Sequence, residues 1–593
     1  MSRWRAWRSV FSWGWQAAPR KLVYTASLLV AGGVSSVLYP VALALVINAS
    51  LRHETERLVI GVGGLAGLYT VTWVLAMLAG TGAAQLSDLT TFYLTARIAE
   101  QLNAVSGIDH LERPAYRTEL DLLQENLRVV GNGARQMLVL LQVLIRIVGI
   151  MVVLAVVFPP LGLLPLCAVA PIVGERLSVG LRQRSDERLA PARRLADELF
   201  ELASSAGPAK ELRVFGVAGP LRRRHRELAD VITAATGRAT VMGALCGAAG
   251  WLVFAAGFVT GIAVVVVRAA DGDATVGEVV LAVMLIQRAQ LQVGQAAAAI
   301  GQLLTTTRTA KRMLWLEQYA ATDPALDGDR LAPPAALRWG ITLRDVSFGY
   351  PPDGALVLDG VDLHLPAGSA VALVGENGAG KTTLVKLLTG MYQPTSGEVL
   401  LDGIPLSKLD LTAWRRRTTA TFQDFVQFEL IARETVGIGD LPRLDDESAL
   451  SVALDRASAT SVVAELGDGL DTLLGRSFSN GQGLSGGQWQ RLALARGMMR
   501  DGPLLLILDE PTASLDAITE AALFERYLAV RKLARQSGAI TLLVSHRFST
   551  VRMADLIVVL NQGGIIATGD HASLIREGGL YAELYEMQAR AYR

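Results

Sequence analysis

The sequence predicts an α-helical transmembrane domain of six spans with long cytoplasmic extensions, followed by an α/β P-loop domain. Long apolar runs occupy residues 22–304, whereas residues 341–593 have the composition of an ordinary soluble domain. Over the whole chain 51% of residues are hydrophobic and 19% are charged, against about 25% charged in a typical soluble protein. The second region contains the glycine-rich segment GENGAGKTT between a strand pattern and a helix pattern. The net charge of +1 provides no basic field, so we expect no nucleic acid partner.

The first 21 residues predict a short helix in the membrane interface. Trp4, Trp7 and Phe11 fall on one helical face, and three arginines lie among the first eight residues. Aromatic side chains on one face with basic residues beside them are typical of helices that lie flat on a membrane. A frayed basic tail is the alternative interpretation.

Six apolar runs are long enough to cross a bilayer as helices, which takes about 20 residues each. They lie near residues 22–47, 58–83, 138–158, 161–178, 242–267 and 276–304. One such run alone could be a buried helix of a soluble protein, but six together predict a transmembrane domain over residues 22–320.

The distribution of charge predicts the orientation of these spans. The segments before the first span, between the second and third, and between the fourth and fifth are rich in Arg and Lys, whereas the loop near Asp271 and Asp273 is acidic. By the positive-inside rule, the basic segments lie in the cytoplasm. We therefore expect a multi-pass protein of the cytoplasmic membrane with both termini in the cytoplasm.

The two long cytoplasmic segments are too long to be simple loops. Residues 84–137 and 179–241 keep helical periodicity with charged faces, which predicts spans that continue beyond the membrane. We expect them to reverse near residues 107–120 and 206–216 and to contact a cytoplasmic partner there.

A linker is predicted at residues 321–340, because this stretch is rich in Pro, Gly and Asp. The α/β domain follows over residues 341–593. It opens with the strand pattern ITLRDVSFGY.

Residues 370–388, AVALVGENGAGKTTLVKLL, have the order strand, glycine loop and helix that a phosphate-binding P-loop requires. Its glycines let the backbone wrap the phosphates of a nucleotide, and the helix N-terminus adds a favourable partial charge. Lys381 would reach the β- and γ-phosphates, and Thr382 would offer a hydroxyl to Mg²⁺. We expect the nucleotide-binding residues of this loop to be Gly375, Asn377, Gly378, Gly380, Lys381, Thr382 and Thr383.

Three further segments predict the rest of a catalytic centre. A buried strand pattern ends in Asp509, suited to Mg²⁺, and Glu510 follows, where it can polarise a water for attack on the γ-phosphate. His546 ends another strand pattern and can hydrogen-bond the γ-phosphate. Gln423 follows the strand TATF and can sense Mg²⁺ or the attacking water. Each of these residues taken alone could be structural, and the P-loop upstream favours the catalytic reading.

Together these residues resemble ATP-binding cassette (ABC) transporters of the half-transporter, exporter-fold type. The resemblance rests on GENGAGKT, FQD with Gln423, LSGGQ at residues 484–488, LILDEP, SLD with Asp516 and SH with His546. Tyr350, in FGYP, matches the aromatic residue that stacks on adenine in this family. The segments around Pro114 and residues 210–215 resemble its coupling helices. The resemblance implies an ATP-hydrolysing exporter with ATP and Mg²⁺ as cofactors.

The same resemblance assigns a role to the LSGGQ segment. In this family two nucleotide-binding domains pair head to tail, and each LSGGQ caps the ATP on the other P-loop. Glycines at a helix start can form an anion-binding concavity, which agrees with that role. We expect a homodimer with two active sites, with a heterodimer as the alternative. The residues expected to contact the partner's nucleotide are Ser485, Gly486, Gly487, Gln488 and Asp516.

The segments GLSGGQWQRLALAR and AKELRVFG resemble half-transporters that export ribosomally made peptides, including lantibiotics. The expected substrate is therefore a peptide or an amphipathic small molecule. The stretch RSFSNGQG departs from the glutamate-containing segment of many exporters, with Gln482 near that position, so we expect altered coupling contacts. Import by the same fold, an ATP-gated channel and a membrane-tethered regulatory ATPase are the alternatives.

Polar residues within the spans predict a substrate cavity between two protomers. Arg146 lies in the middle of the third span, and the sixth span carries Arg288 among several glutamines. We expect these residues to line the cavity and to favour anionic groups. The alternative is hydrogen bonding between helices or pairing with a carboxylate such as Glu278. The predicted lining residues are Arg146, Gln287, Arg288, Gln292 and Gln295.

Overall fold

The computed structural model describes residues 3–157, 159, 161, 166–167, 169–205, 207–271, 275–322, 330–350, 354–510 and 538–591. The chain forms two compact units. The first comprises Met1–Leu102 and Thr118–Gln318, and the second comprises Asn103–Arg117 and Tyr319–Arg593. The short segment Asn103–Arg117 therefore belongs to the second unit, although its flanking residues belong to the first.

Eleven helices cover most of the described residues up to position 321. They are α1 Arg3–Ala17, α2 Pro19–Leu51, α3 Thr55–Ala104, α4 Asp109–Glu112, α5 Pro114–Glu125, α6 Leu127–Gly131, α7 Gly133–Val157, α8 Val169–Ser204, α9 Ala209–Val214, α10 Ala218–Ala270 and α11 Val276–Ala321.

Within the described residues, α2, α3, α7, α10 and α11 are long and apolar enough to cross a membrane. They correspond to the predicted first, second, third, fifth and sixth spans, which confirms the predicted helical membrane-domain class. A helix needs about 20 residues to cross a bilayer. With 50 and 53 residues, α3 and α10 are far longer than that. The predicted fourth span, 161–178, lies partly outside the described residues, and α8 begins within it at Val169.

Glycines allow α8 and α10 to approach closely. A Cβ on Gly250 of α10 would lie 2.6 Å from the carbonyl oxygen of Ala170, and one on Gly174 of α8 would lie 2.6 Å from that of Cys246. Without a hydrophobic driving force in lipid, such backbone contact is how small residues hold membrane helices together.

The helix α1 is amphipathic in the structure as well as in the sequence. Trp4 and Phe11 are exposed, whereas Ala6 and Val10 are buried. Trp7 is 36% exposed, and its indole N–H donates a hydrogen bond of 2.7 Å to the hydroxyl of Thr307 on α11.

The described residues of the second unit form two sheets. The antiparallel sheet has the order β2-β1-β4-β5, and the other has the order β10-β9-β3-β8-β7-β6. Their strands are β1 Gly340–Gly349, β2 Leu356–Pro366, β3 Ala370–Val374, β4 Ser396–Leu401, β5 Ile404–Pro405, β6 Thr418–Thr421, β7 Leu505–Asp509, β8 Ile540–Val544, β9 Leu556–Asn561 and β10 Gly564–Gly569.

Helices accompany these strands. The α-helices are α12 Lys381–Leu388, α13 Leu411–Arg416, α14 Ala432–Gly437, α15 Glu447–Arg456, α16 Thr460–Ala464 and α17 Gly486–Gly497, followed by Phe548–Val551, His571–Glu577 and Leu580–Ala591. Short 3₁₀ helices lie at Leu406–Lys408, Ile438–Arg443 and Gly469–Asp471.

The parallel strands of the larger sheet position the site. β3 pairs with β8, β8 with β7, and β7 with β6, all in parallel. Every residue of β7 is buried, as expected for a parallel strand covered on both faces. Because parallel strands end at the same edge, the segments that follow β3, β6, β7 and β8 meet there. These are the four segments in which the sequence predicted catalytic residues.

Candidate functional site

The loop after β3 is closed by its own lysine. Gly378 and Gly380 have φ values of +83° and +105°, in the left-handed region that glycine adopts without strain. The ammonium group of Lys381, at the start of α12, donates hydrogen bonds to the carbonyl oxygens of Gly375 at 2.8 Å and Glu376 at 2.9 Å. Asn377 is exposed on the same loop. The loop thus encircles a buried cation at a helix N-terminus, which suits a phosphate.

Asp509 is the last residue of β7 and is 4% exposed. Burial raises the pKa of its carboxyl group to about 6; Glu510 and Asp424 add to that rise and Lys381 opposes it. Burial also lowers the pKa of Lys381, against the influence of Glu510 and Asp509. Carboxylates therefore crowd around one ammonium group, and an additional cation would relieve their repulsion.

These residues fit a magnesium ion. Asp509, Thr382 and Gln423 offer carboxylate, hydroxyl and amide oxygens, the hard ligands that Mg²⁺ prefers. Thr382 and Gln423 are exposed, so their side chains are accessible. Within the described ranges no group of three or more His, Cys, Asp or Glu residues could hold a metal by itself. In proteins Mg²⁺ is commonly held by one or two carboxylates together with substrate phosphates, and Asp509 offers one such carboxylate.

Glu510 and His546 lie in contact although they follow different strands. The imidazole Nε2 of His546 is 2.9 Å from Oε1 of Glu510, the side chains being 40% and 18% exposed. Glu510 has a φ of +47°, which is strained for a residue with a side chain. Its N–H donates to Val544 at 2.9 Å, and its carbonyl accepts from Gln490 Nε2 at 3.3 Å. These bonds, from β8 and α17, hold the strained residue in place.

Tyr350 lies beside the P-loop helix. Its hydroxyl is 3.1 Å from the hydroxyl of Thr383, which is 5% exposed. The ring packs edge-on against Phe348 and Tyr392, with centroids 5.0 Å and 5.4 Å away. The ammonium group of Lys386 lies 5.4 Å from the centroid of the Tyr350 ring. The predicted adenine-stacking residue is therefore fixed to α12.

The LSGGQ segment begins α17 with a reciprocal cap. Ser485 Oγ accepts from the N–H of Gln488 at 3.3 Å, and Gln488 Oε1 accepts from the N–H of Ser485 at 2.9 Å. Gln488 also donates to Glu465 at 3.1 Å. No described atom lies within 4 Å of the position of a Cβ on Gly486, so the glycine face is open. Asp516 lies outside the described residues.

Gln482, the residue at the departure from the family pattern, is held within its own domain. Its N–H donates to Leu473 at 2.8 Å, its Oε1 accepts from Gly467 at 3.3 Å, and its Nε2 donates to Glu465 at 3.5 Å. The side chain thus links two segments that precede α17.

The segment Asn103–Arg117 packs against the P-loop helix and the residues after it. The N–H of Ile108 donates to Met391 at 3.2 Å. On α4, the carboxylate of Glu112 accepts hydrogen bonds from Lys386 at 2.8 Å and from the hydroxyl of Tyr392. Burial by itself would raise the pKa of Glu112, but the hydrogen bonds from Lys386 and Tyr392 outweigh it, so the pKa is lowered. A short polar chain therefore connects α4 to the ring of Tyr350.

Sequence reasoning placed a turn at this segment but missed the residues that make the contact. These are Glu112, Lys386 and Tyr392. A signal was present in the five-residue spacing of Lys386 from Lys381, which puts a second lysine on the P-loop helix.

The predicted cavity residues of α11 lie on different sides of that helix. Gln287 and Gln295 are exposed, whereas Gln292 is 8% exposed. Arg288 is half-buried and donates to the carbonyl of Ser36 on α2 at 2.5 Å. Arg146 is half-buried on α7.

The carboxylate considered as an alternative partner is engaged elsewhere. Glu278 accepts from the N–H and the hydroxyl of Thr275 at 2.7 and 2.9 Å.

Comparisons with known proteins find similarity over the second unit and beyond. Residues 358–513 match the family described as ABC transporter. A stretch of 253 residues is 44% identical to an ATP-dependent lipid A-core flippase of Ralstonia nicotianae, over 42% of this chain and 41% of that protein. A stretch of 248 residues is 36% identical to the subtilin transport ATP-binding protein of Bacillus subtilis, over 42% and 39%. The matched region thus spans about two fifths of the length of these relatives.

A longer match extends into the helical unit. Over 461 residues the chain is 34% identical to a mitochondrial potassium channel ATP-binding subunit of Rattus norvegicus, covering 75% of this chain and 61% of that protein. Among solved structures, a bacterial Atm1-family ABC exporter with ATP bound superimposes with a TM-score of 0.80 at 23% identity. The superposition covers 96% of this chain and 98% of the other, so the two share a fold.

Proposed function

We propose that this chain, an ABC transporter with the exporter fold, is one half of an ATP-driven exporter of the cytoplasmic membrane. The single observation that supports this most is the convergence of Lys381, Asp509 and the Glu510–His546 pair at one edge of a parallel sheet. Such a site is suited to bind a nucleoside triphosphate and to place a carboxylate beside the water that attacks the γ-phosphate.

The roles of the residues follow from their positions. Lys381 and the loop amides hold the phosphates, and Tyr350 stacks on the adenine. Glu510 orients the attacking water, and the hydrogen bond from His546 fixes the carboxylate. Thr382, Asp509 and Gln423 would hold Mg²⁺, which neutralises charge on the transferred phosphoryl group when it is bound.

A second chain completes the site in this proposal. The reciprocal cap of Ser485 and Gln488 and the open glycine face of Gly486 support a surface that receives the phosphates of another protomer's ATP. Since Glu510, His546 and the LSGGQ segment are all intact, the proposed assembly is a homodimer with two working sites. Asp516 would contribute to the same interface.

The contacts of Asn103–Arg117 support coupling between the nucleotide site and the spans. Lys386 contacts both Glu112 on α4 and the ring of Tyr350. Closure around ATP would therefore move α4. On α9 and just after it, Val214 and Phe215 are 80% and 70% exposed, which supports a docking role for the second coupling segment on a partner domain. ATP binding and hydrolysis would thereby open and reset the helical unit.

The transported molecule in this proposal is a peptide or an amphipathic small molecule. The likeness to a subtilin transport protein supports a peptide, and the likeness to lipid A-core flippases supports an amphiphile. A channel-associated or regulatory ATPase is the second candidate, favoured by the 34% identity to a mitochondrial potassium channel ATP-binding subunit.

Uptake into inside-out membrane vesicles tests the proposal. Wild-type vesicles should accumulate a substrate in the presence of ATP, and Glu510→Gln vesicles should not, although the variant binds ATP. ATP hydrolysis without uptake of any peptide or amphiphile would favour the regulatory ATPase, and efflux from the same vesicles would indicate an importer.

A further inference from the structure

The backbone around His546 is bound by a side chain from a helix near the end of the second unit. Gln588, on the helix Leu580–Ala591, donates a hydrogen bond from its Nε2 to the carbonyl oxygen of His546. Its Oε1 accepts a hydrogen bond of 3.2 Å from the N–H of Phe548. One amide group therefore bridges the two peptide units on either side of Arg547.

The second of these bonds caps a short helix. The helix Phe548–Val551 begins at Phe548, and the first N–H groups of a helix have no partner inside it. Arg547, the residue before it, makes no side-chain cap, and an arginine side chain carries no acceptor atom. Gln588, 40 residues further along the chain, supplies the acceptor instead. Its removal would take this acceptor from the N–H of a residue that is 8% exposed.

The helix that carries Gln588 is anchored by aromatic packing around Phe548. The Phe548 ring packs edge-on against Tyr581 and Tyr585 of that helix, with centroids 5.3 and 5.5 Å away. The hydroxyl of Tyr581, a residue that is 1% exposed, lies 2.7 Å from Nδ1 of His571. Aromatic pairs in this geometry add to the stability that burial supplies. The amide of Gln588 is thus held against the backbone by a packed cluster as well as by its own two hydrogen bonds.

The same stretch of backbone presents the imidazole to Glu510. Nε2 of His546 is 2.9 Å from Oε1 of Glu510. The carbonyl group that Gln588 binds reports the rotation of the backbone at His546, on which the rotamers open to the imidazole depend. The buried Ser545 restrains the same stretch, since its hydroxyl accepts from the N–H of Arg547 at 3.0 Å. A tilt of this backbone would therefore move the imidazole relative to the carboxylate.

We propose that Gln588 is a positioning residue for ATP hydrolysis, because it fixes the backbone from which His546 reaches Glu510. It acts through His546 rather than on the nucleotide. The groups proposed to bind ATP lie on other segments, so the affinity for ATP should not depend on Gln588. This role rests on the proposed function, since it assumes that His546 and Glu510 act at the γ-phosphate. The helix Leu580–Ala591 thereby contributes to catalysis without supplying a catalytic residue.

Steady-state kinetics of the full-length protein in nanodiscs test the role. Gln588→Met keeps the length of the side chain but removes both hydrogen bonds. We expect it to lower the kcat of ATP hydrolysis about tenfold and to leave the KM for ATP unchanged, since it disturbs the catalytic pair and not the groups that bind the nucleotide. Met587→Gln makes the reverse exchange at the neighbouring position, which is 59% exposed, and should hydrolyse ATP as the wild type does. An unchanged kcat in Gln588→Met, with or without a raised KM, would overturn the proposal.

A double-mutant cycle separates positioning from a general loss of packing. Single-turnover hydrolysis with protein in excess follows slow reactions, so the rate can be measured in a His546→Ala background. There Gln588→Met should change the rate by less than about twofold, because the residue through which it acts is missing. A loss of about tenfold in both backgrounds would show an effect independent of His546 and would refute the role.

Hydrogen–deuterium exchange gives a readout that does not depend on turnover. In Gln588→Met, the peptide that contains residues 545–551 should exchange faster, because the N–H of Phe548 has lost its acceptor, whereas a P-loop peptide should exchange as in the wild type. Unchanged exchange over residues 545–551 would contradict the bridge. Absence of ATP hydrolysis in the wild type would refute the proposed function itself, and a wild type that hydrolyses ATP beside an unaffected Gln588→Met would refute only the role of Gln588.

Discussion

The imidazole of His546 contacts the carboxylate of Glu510 at 2.9 Å, across two neighbouring strands of one sheet. The contact joins a residue in a strained backbone conformation to one that can fix its side chain. Glu510→Gln should therefore retain ATP binding and lose ATP hydrolysis by about 100-fold or more, the usual contribution of a positioned base. Single-turnover hydrolysis and nucleotide binding, measured on the same preparation, check this. Glu577→Gln, an exposed carboxylate at the end of the helix His571–Glu577, is the control, and a Glu510→Gln turnover near that of the wild type would exclude Glu510 from this role.

Complementation between two inactive chains tests the composite site. Lys381→Ala and Ser485→Arg should each be inactive as homodimers. In a mixed dimer, purified through two different tags, one site combines the intact P-loop of one chain with the intact LSGGQ of the other and should hydrolyse ATP. An inactive mixed dimer would mean that each chain uses its own LSGGQ segment.

The pKa of Asp509 predicts a pH dependence of metal binding. Burial raises that pKa to about 6, so the folded, metal-free domain holds this proton more tightly than the unfolded chain does. Its contribution to stability is therefore present at low pH and is lost as the pH rises through about 6, where the ionised carboxylate becomes available to Mg²⁺. We expect the Tm increase caused by Mg²⁺ and ATP to be small at pH 5 and full at pH 7.5. Asp509→Asn should show no such dependence.

The Glu112–Lys386 ion pair predicts a coupling effect rather than a catalytic one. Glu112→Lys should reduce the amount of substrate transported per ATP hydrolysed, because α4 loses its connection to the P-loop helix. The effect should be a few-fold, since the pair is partly exposed to solvent. The double variant Glu112→Lys, Lys386→Glu reverses the pair and should recover part of the ratio. A double variant worse than either single change would argue against direct pairing.

The glycine contacts of α8 and α10 predict a packing requirement. Gly250→Val should destabilise the helical unit by about 1–3 kcal/mol, the usual cost of forcing extra methyl groups into a packed interface. Unfolding by a denaturant in detergent measures the change. Gly247→Val on the same helix is the control, because no described atom lies within 4 Å of a Cβ at that position.

The sequence predicts the nucleotide site better than the contacts around it, for a physical reason. β7 is an unbroken apolar run that ends in Asp509, and β3 runs directly into the glycine loop, so local patterns locate both. Parallel pairing then brings the strand ends together without further information. By contrast, Glu112 and Lys386 are separated by 274 residues, and no local pattern links them. The hydrogen bond between Trp7 and Thr307, which are 300 residues apart, is likewise a product of tertiary packing.

The cap of α17 has a consequence for the order of assembly. The side chains of Ser485 and Gln488 each accept a hydrogen bond from the other's backbone N–H. The N-terminus of α17 is therefore capped without a ligand. The surface proposed to receive the partner's ATP is therefore already shaped in the single chain. In the proposed dimer, engagement between two such protomers would depend on bound ATP and would be reversed when that ATP is hydrolysed.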